Sequence, residues 1–267
     1  MRVKELSERL QDAARRAGFK AEFYGQREEH GLIALVREPE QPKAHVYISA
    51  GVHGDEPAGP LAVLDLLRRK AFRDDVAYYI VPLVNPLGLE AKTRENDKGQ
   101  DVNRSYGPTP STPEAVAHQA WLGQRTFDLA LCLHEDFESS GFYLYELGPQ
   151  HLADNDARRR THGFASPARD LLAAGAEHLP LDMSPEIDGM PANEGLMQPP
   201  LEHTTDWRDD LPEAIHLMRH HTPWCYTFET PSTSANIVDR VACQSAAVEA
   251  AVNWLIRQLA EAPKTQE

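Results

Sequence analysis

Cysteine is scarce: three residues, Cys132, Cys225 and Cys243, odd in number and far apart in the chain. A chain of 267 residues buries enough surface to need no disulfide framework. Cys132 and Cys225 lie inside apolar runs and read as small buried hydrophobes, which fits a reducing, cytoplasmic setting. Long apolar runs are missing too. No stretch of about 18 apolar residues exists, which argues against a membrane-spanning helix. Residues 1–18 read as an amphipathic helix without the uninterrupted apolar core of a signal peptide. Basic residues are in deficit, with 27 Lys and Arg against 41 Asp and Glu and a formal net charge of -14. That sign opposes nonspecific binding to nucleic acid or to an anionic membrane surface. There is no internal repeat, no low-complexity tract and no linker that would separate two domains. The remainder, 41% hydrophobic and 25% charged, is ordinary for a soluble globular protein, read as a single domain over 1–267.

The pattern along the chain alternates strands and helices. Residues 3–17 read as a helix, 20–26 and 31–37 as strands, and 45–50 as a short β-rich run. Residues 57–69 carry Leu61, Leu64, Leu66 and Leu67 at helical spacing, with Pro57 near the start, where proline is tolerated. Buried-type strands follow at 76–84, 127–133, 141–147 and 224–230, and 235–260 makes a long closing helix. Continuous apolar strands mixed with helices predict an α/β fold with a mixed, mostly parallel central sheet covered by helices on both faces. Residues 150–222, rich in Pro, Gly, His and charge, read as loops and short helices over one end of the sheet that shape a substrate pocket.

Open α/β sheets bind ligands outside the carboxyl ends of their strands. The residues that follow the strands are therefore the ones to inspect. After the run at 45–50 comes Gly51-Val52-His53-Gly54-Asp55-Glu56; after 76–84 comes Asn85-Pro86; after 127–133 comes His134-Glu135-Asp136; and Glu229 lies at the end of 224–230. A catalytic zinc takes three protein ligands from His and Asp/Glu and keeps a fourth position for water. His53 and Glu56, three apart in a glycine-bearing turn, can converge on one ion, and His134 suits a third ligand from a distant strand. A His-x-x-Glu pair alone is common by chance. The other histidines (His118, His151, His162, His178, His203, His216, His220 and His221) sit in polar contexts and read as surface residues, with His220 and His221 as rival metal ligands.

The full ordered set is more specific than its parts: His53-x-x-Glu56, Asn85-Pro86-x-Gly88, Arg94, Asp101-Val102-Asn103-Arg104, His134 and Phe228-Glu229-Thr230. It resembles the zinc carboxypeptidase family, including the succinylglutamate desuccinylase and aspartoacylase branch, over about 45–136 and again over about 223–232. The resemblance implies one zinc ion on His53, Glu56 and His134, and Glu229 as general base. It implies Arg94 at the developing oxyanion, Asn103 and Arg104 on a substrate carboxylate, and Asp101 orienting a zinc-bound histidine. The implied activity is hydrolysis of an amide bond next to a free carboxylate, on a small peptide or an N-acyl amino acid. A noncatalytic carboxylate-binding module on the same scaffold is the rival reading. The sequence departs from the family carboxypeptidases in one respect. No tyrosine stands in 186–222, where they carry one on a mobile loop, and Trp207 is found there instead.

Overall fold

The apolar runs form the centre of the molecule, and the pleat of the strands divides each run between two cores. A computed structural model describes residues 2–151, 163–200 and 210–262. In β3 (Ala44–Ala50), Ala44, Val46, Ile48 and Ala50 face one core and Tyr47 the other. In β4 (Val76–Val81), Val76, Tyr78 and Ile80 oppose Ala77, Tyr79 and Val81. In β5 (Leu129–Asp136), Leu129, Leu131 and Leu133 oppose Ala130 and Cys132. Burial on both faces is why these strands read as continuous rather than alternating hydrophobic runs.

Helices cover both cores. Against the first lie α1 (Val3–Arg16), α2 (Ala58–Arg69), α5 (Ala168–Ala176) and the long α7 (Ile237–Glu261). α1 turns Val3, Leu6, Leu10, Ala13 and Ala14 inward at helical spacing. α7 is started by Asn236, whose side chain accepts from the Val238 and Asp239 amides. Against the second core lie α4 (Pro113–Leu122) and α6 (Glu213–His220). Each fully buried Leu, Ile or Phe contributes roughly 1.5–3 kcal/mol relative to exposure.

The sheet has ten strands in the order β1-β2-β4-β3-β5-β10-β6-β9-β8-β7. The remaining strands are β1 (Lys20–Arg27), β2 (His30–Arg37), β6 (Tyr143–Leu147), β7 (Glu186–Ile187), β8 (Met190–Asn193), β9 (Leu196–Met197) and β10 (Cys225–Pro231). β4, β3, β5 and β10 are mutually parallel, and the β1–β2 and β7–β8–β9 hairpins flank them with antiparallel pairing. The sheet is therefore mixed, single and covered on both faces, as the sequence pattern predicts.

Two details differ from the sequence reading. β5 runs through His134 to Asp136 rather than stopping before the polar residues. The segment 150–222 also holds strands, β7 to β9, besides α5 and α6. These strands are only two to four residues long, too short for a period-two pattern to show. Among the described residues no helix is long and apolar enough to cross a membrane.

Candidate metal centre

The turn after β3 is built on glycine. Gly51 takes a left-handed backbone (φ +65°), a conformation glycine adopts at no steric cost. Gly54 is needed for a different reason. A Cβ there would lie 1.9 Å from the carbonyl carbon of Gly88, so two backbones meet and only hydrogen fits between them. Gly88 belongs to α3 (Pro86–Ala91), whose N-terminus is capped by the Asn85 side chain accepting from the Gly88 amide at 2.9 Å. The Asn85 amide in turn donates to the Gly51 carbonyl at 2.8 Å. The Asn85-Pro86-x-Gly88 run thus holds the His53–Glu56 turn in place.

Behind the turn, α2 begins at Ala58. The Ala58 amide donates to Glu135 Oε2 at 2.7 Å, and Glu135 also pairs with Arg240 of α7. Burial lifts the Glu135 carboxyl to about 7, against the pull of the Ala58 amide and Arg240. Because side chains alternate along β5, Glu135 points into the first core while His134 and Asp136 face the other way. Gln244 of α7 donates to the His134 carbonyl at 2.7 Å and to Thr230 Oγ1 at 3.0 Å, tying β5 to β10. In that parallel pair Glu229 lies opposite His134 in register, on the same face.

The side chains of His53, Glu56 and His134, at 3%, 4% and 4% exposure, converge. One donor atom from each lies within 4.8 Å of the other two. Glu56 bridges the imidazoles, with Oε1 2.5 Å from His53 Nδ1 and Oε2 2.9 Å from His134 Nδ1. The electrostatics follow from this bridge. For Glu56, burial would raise the carboxyl, but the two imidazoles outweigh it and hold it at about 2. For His53, burial would lower the imidazole, but Glu56 and Asp101 lift it to about 9. His134 is raised in the same way by Glu56. The Glu229 carboxyl is pushed well above its ordinary range by burial, against the pull of His134.

This donor set fits a divalent cation. Two imidazole nitrogens and a carboxylate oxygen are the ligand types of catalytic zinc, with bonds of about 2.0–2.2 Å. Glu56 Oε2 is buried and makes no well-formed hydrogen bond, meeting His134 Nδ1 only as an ion-pair contact, and such an atom is costly unless something satisfies it.

Arg94 and Asp101 close one side of the cluster. Arg94 Nε and Nη2 reach Asp101 Oδ2 at 3.1 and 3.0 Å, and Arg94 Nη1 lies 3.3 Å from His53 Nδ1. Asp101 Oδ1 accepts from the Asn103 amide at 2.8 Å and stands 3.4 Å from His53 Nε2. That places an acid behind the histidine, where orienting partners of metal-bound imidazoles sit. Asn103 follows in a single 3₁₀ turn, Val102–Arg104, and its Oδ1 accepts from the Glu213 amide at 2.9 Å. Its side-chain NH2 is thereby the end left for other partners. Arg104 is exposed, and its Nη1 donates to the Asn103 carbonyl at 2.9 Å. Surface shape alone would point elsewhere: clefts of about 570 and 610 Å³ are lined by none of these residues.

Several expectations about the other histidines are corrected. His118 is fully buried, between the hydroxyls of Tyr47 (2.8 Å) and Tyr106 (2.7 Å). His221 is buried, with Nδ1 2.7 Å from the Arg125 carbonyl, and His216 is half-buried beside it. The sequence suggests surface because the flanking residues are polar; helix packing in the tertiary structure turns these rings inward. His178 and His220 are exposed and His151 is partly buried, while His162, His203 and Trp207 lie outside the described residues. Among the described residues His220 and His221 belong to no three-ligand group. Sequence reasoning also missed Glu135, Gln244 and Glu213 as supports. The available signal was polar residues breaking otherwise apolar faces, as Arg240 and Gln244 do at helical spacing in α7.

The described residues thus form a mixed α/β sheet with a His–Glu–His donor set at the ends of its parallel strands. The family model for succinylglutamate desuccinylase/aspartoacylase catalytic domains matches residues 42–169. No curated protein matches the sequence at a significant level. A candidate metallopeptidase from Shewanella denitrificans OS217 superposes with a TM-score of 0.73 at 24% identity, covering 93% of this chain and 88% of its own. A metallo-carboxypeptidase from Pseudomonas aeruginosa, in complex with (2-guanidinoethylmercapto)succinic acid, gives 0.63 at 16% identity, with coverages of 94% and 69%. Carboxypeptidase A from Helicoverpa armigera gives 0.64 at 15%, with coverages of 98% and 74%. At these identities the structural likeness establishes the fold. Joined to the family match, it supports the zinc carboxypeptidase-like family that the residue pattern resembles.

Proposed function

We propose that this chain is a zinc-dependent hydrolase that cleaves an amide bond adjacent to a free carboxylate, with one ion on His53, Glu56 and His134. The observation that carries the reading is the convergence of these three buried side chains, from two distant parts of the chain, beside an in-register Glu229. A zinc ion held there lowers the pKa of bound water to about 7 and polarises a carbonyl.

The chain's own groups supply the rest. Glu229 takes a proton from the attacking water onto its carboxylate and passes it to the departing amine nitrogen. The Arg94 guanidinium, 3.3 Å from His53 Nδ1, offers N–H groups to the oxygen on which negative charge develops. Asp101 holds the ring of His53. The Asn103 NH2 and the Arg104 fork grip the substrate carboxylate, which a planar guanidinium matches in two parallel bonds. The described parts of 150–222 (150–151, 163–200 and 210–222) frame the substrate pocket, and the rest of that segment lies outside the described residues. The products are a carboxylic acid and an amine.

A short peptide losing its C-terminal residue is the first substrate class, in keeping with the metallo-carboxypeptidase neighbours. The match to desuccinylase and aspartoacylase catalytic domains favours an N-acyl amino acid as the second. Three cysteines that are free and buried accord with a cytoplasmic setting.

The test is a panel of short peptides and N-acyl amino acids given to the zinc-loaded protein, with and without a chelator. Turnover that disappears on chelation and returns with zinc is expected; no turnover of any member would remove the reading. Arg104→Ala should raise KM for free-acid substrates more than for their amides. Equal losses on both would remove Arg104 from the clamp.

A further inference from the structure

Helix α6 starts without a cap of its own. Its N-cap residue is Pro212, which has no side-chain acceptor for the first amides of the helix. The acceptor comes instead from 110 positions away, where Asn103 Oδ1 takes the Glu213 N–H at 2.9 Å. A backbone N–H can only donate, so the oxygen end of the Asn103 amide is the end that faces Glu213. The NH2 end is thereby turned away from α6, and among the described residues no group accepts from it.

Both partners in this bond are themselves fixed. The Asn103 N–H donates to Asp101 Oδ1 at 2.8 Å, and that same oxygen stands 3.4 Å from His53 Nε2. Three residues on, the Tyr106 N–H donates to the Leu211 carbonyl at 3.0 Å, so 103–106 and 211–213 are joined at two points. Glu213 is 1% exposed, and its Oε1 accepts from the Tyr47 hydroxyl of β3 at 2.8 Å. The Asn103 amide is therefore held in one orientation by α6, and α6 is held by the strand that leads to His53. A substrate carboxylate needs donors. An asparagine amide turned over would offer it an oxygen, which repels it. Donation from Glu213 to Oδ1 also polarises the amide and strengthens its NH2 end as a donor.

Resting on the hydrolase reading above, we infer that Glu213 is a positioning residue for the substrate carboxylate. Its main-chain N–H locks Asn103 with the NH2 end toward the substrate, and this lock sets the preference for a free acid over its amide.

The test compares Glu213→Pro with Glu213→Ala in the zinc-loaded full chain. Both lose the carboxylate, and only proline loses the N–H. The position accepts proline: it is the first residue of α6, and Pro212 already has the extended backbone (φ −63°, ψ 153°) that a residue before proline requires. Turnover is measured on benzoylglycylglycine and its C-terminal amide, and binding by NMR titration of benzoylglycine and its amide. Glu213→Pro should raise KM and Kd for the free acids by about tenfold over Glu213→Ala, with kcat, zinc content and the values for the amides unchanged. A merely structural role would move all of these together. A second pair decides the matter even where the proline variant does not fold. Asn103→Asp keeps an oxygen for the Glu213 N–H, and Asn103→Ala does not. Asn103→Asp should therefore stay nearer the wild-type denaturation midpoint than Asn103→Ala, yet lose the free-acid preference, because its second oxygen faces the carboxylate. Equal free-acid affinity in the two Glu213 variants, wild-type free-acid affinity in Asn103→Asp, or no free-acid preference in the wild-type chain overturns the inference. If no amide is cleaved but the binding pattern holds, the hydrolase reading fails and the lock stands. If peptides are cleaved without this pattern, the lock fails and the hydrolase reading stands.

Discussion

Two buried histidine clusters share one face of the same sheet, and they are built on opposite logic. In the first, Glu56 sits between His53 and His134 and all three donors turn toward one another. In the second, the groups form a line: Glu213 Oε1 accepts from the Tyr47 hydroxyl at 2.8 Å, Tyr47 meets His118 Nε2, and His118 Nδ1 meets Tyr106. The line closes its proton count. Tyr47 donates to Glu213, so His118 Nε2–H donates to Tyr47, and Nδ1 is left to accept from Tyr106. Burial keeps His118 neutral, at about 3, whereas His53 is lifted to about 9. A chain of paired groups holds helices to a sheet, while a set of three donor atoms within 4.8 Å of one another suits an ion. Residue type alone does not separate the two, since each has a buried histidine and a buried glutamate.

The comparison can be broken most severely at His134. His134→Ala should release most of the bound zinc, beyond the about 10–100-fold affinity loss that follows removal of an outer partner. Undiminished zinc by elemental analysis would take His134 out of the donor set. Next comes Glu229→Gln, expected to lower turnover by about 10²–10⁴ while zinc content stays at wild type; a noncatalytic module would instead keep its ligand affinity in this variant. Asp101→Asn removes the acid 3.4 Å from His53 and should weaken zinc by about 10–100-fold, read by competition with a chromophoric chelator. A wild-type affinity would show that Asp101 serves only the Asn103 turn.

The pH dependence has a definite sign. Burial would raise Glu56, but His53 and His134 hold it at about 2, so its contribution to stability is present above its ordinary value of 4.5 and lost as pH falls through about 2. Burial would lower His53, but Glu56 and Asp101 hold it at about 9, so its contribution is present below 6.5 and lost as pH rises through about 9. The metal-free triad is therefore fully stabilising between about 4.5 and 6.5. Zinc must displace the His53 proton, so its affinity should rise with pH up to about 9, by at most about tenfold per unit for each proton released. A flat profile over pH 6–9 would mean that His53 binds no proton that the metal has to remove. The smallest effect on chemistry is expected at the second cluster. Tyr47→Phe leaves buried partners unsatisfied and should cost about 1–3 kcal/mol in denaturant unfolding, with zinc uptake unchanged.

Much of this was legible in the residues. Continuous apolar runs gave the buried strands because both faces of β3, β4 and β5 are covered. The strand-end rule led to His53, Glu56, His134 and Glu229 because catalytic donors cluster where parallel strands finish. The burial of His118 and His221 was not legible, because their neighbours in sequence are polar and the rings are turned inward by helices arriving from elsewhere. Nor was the role of Gly54, which is set by a backbone more than thirty positions away.

The sequence by itself determined the two cores, through the period of its apolar residues, and the donor types available at the rim. Only the tertiary structure decided which histidines share a carboxylate and which merely pass a hydrogen bond along. The reason is geometric. Pairing across a sheet joins residues nearly a hundred positions apart, such as His134 and Glu229, and no local pattern encodes which strand will lie beside which.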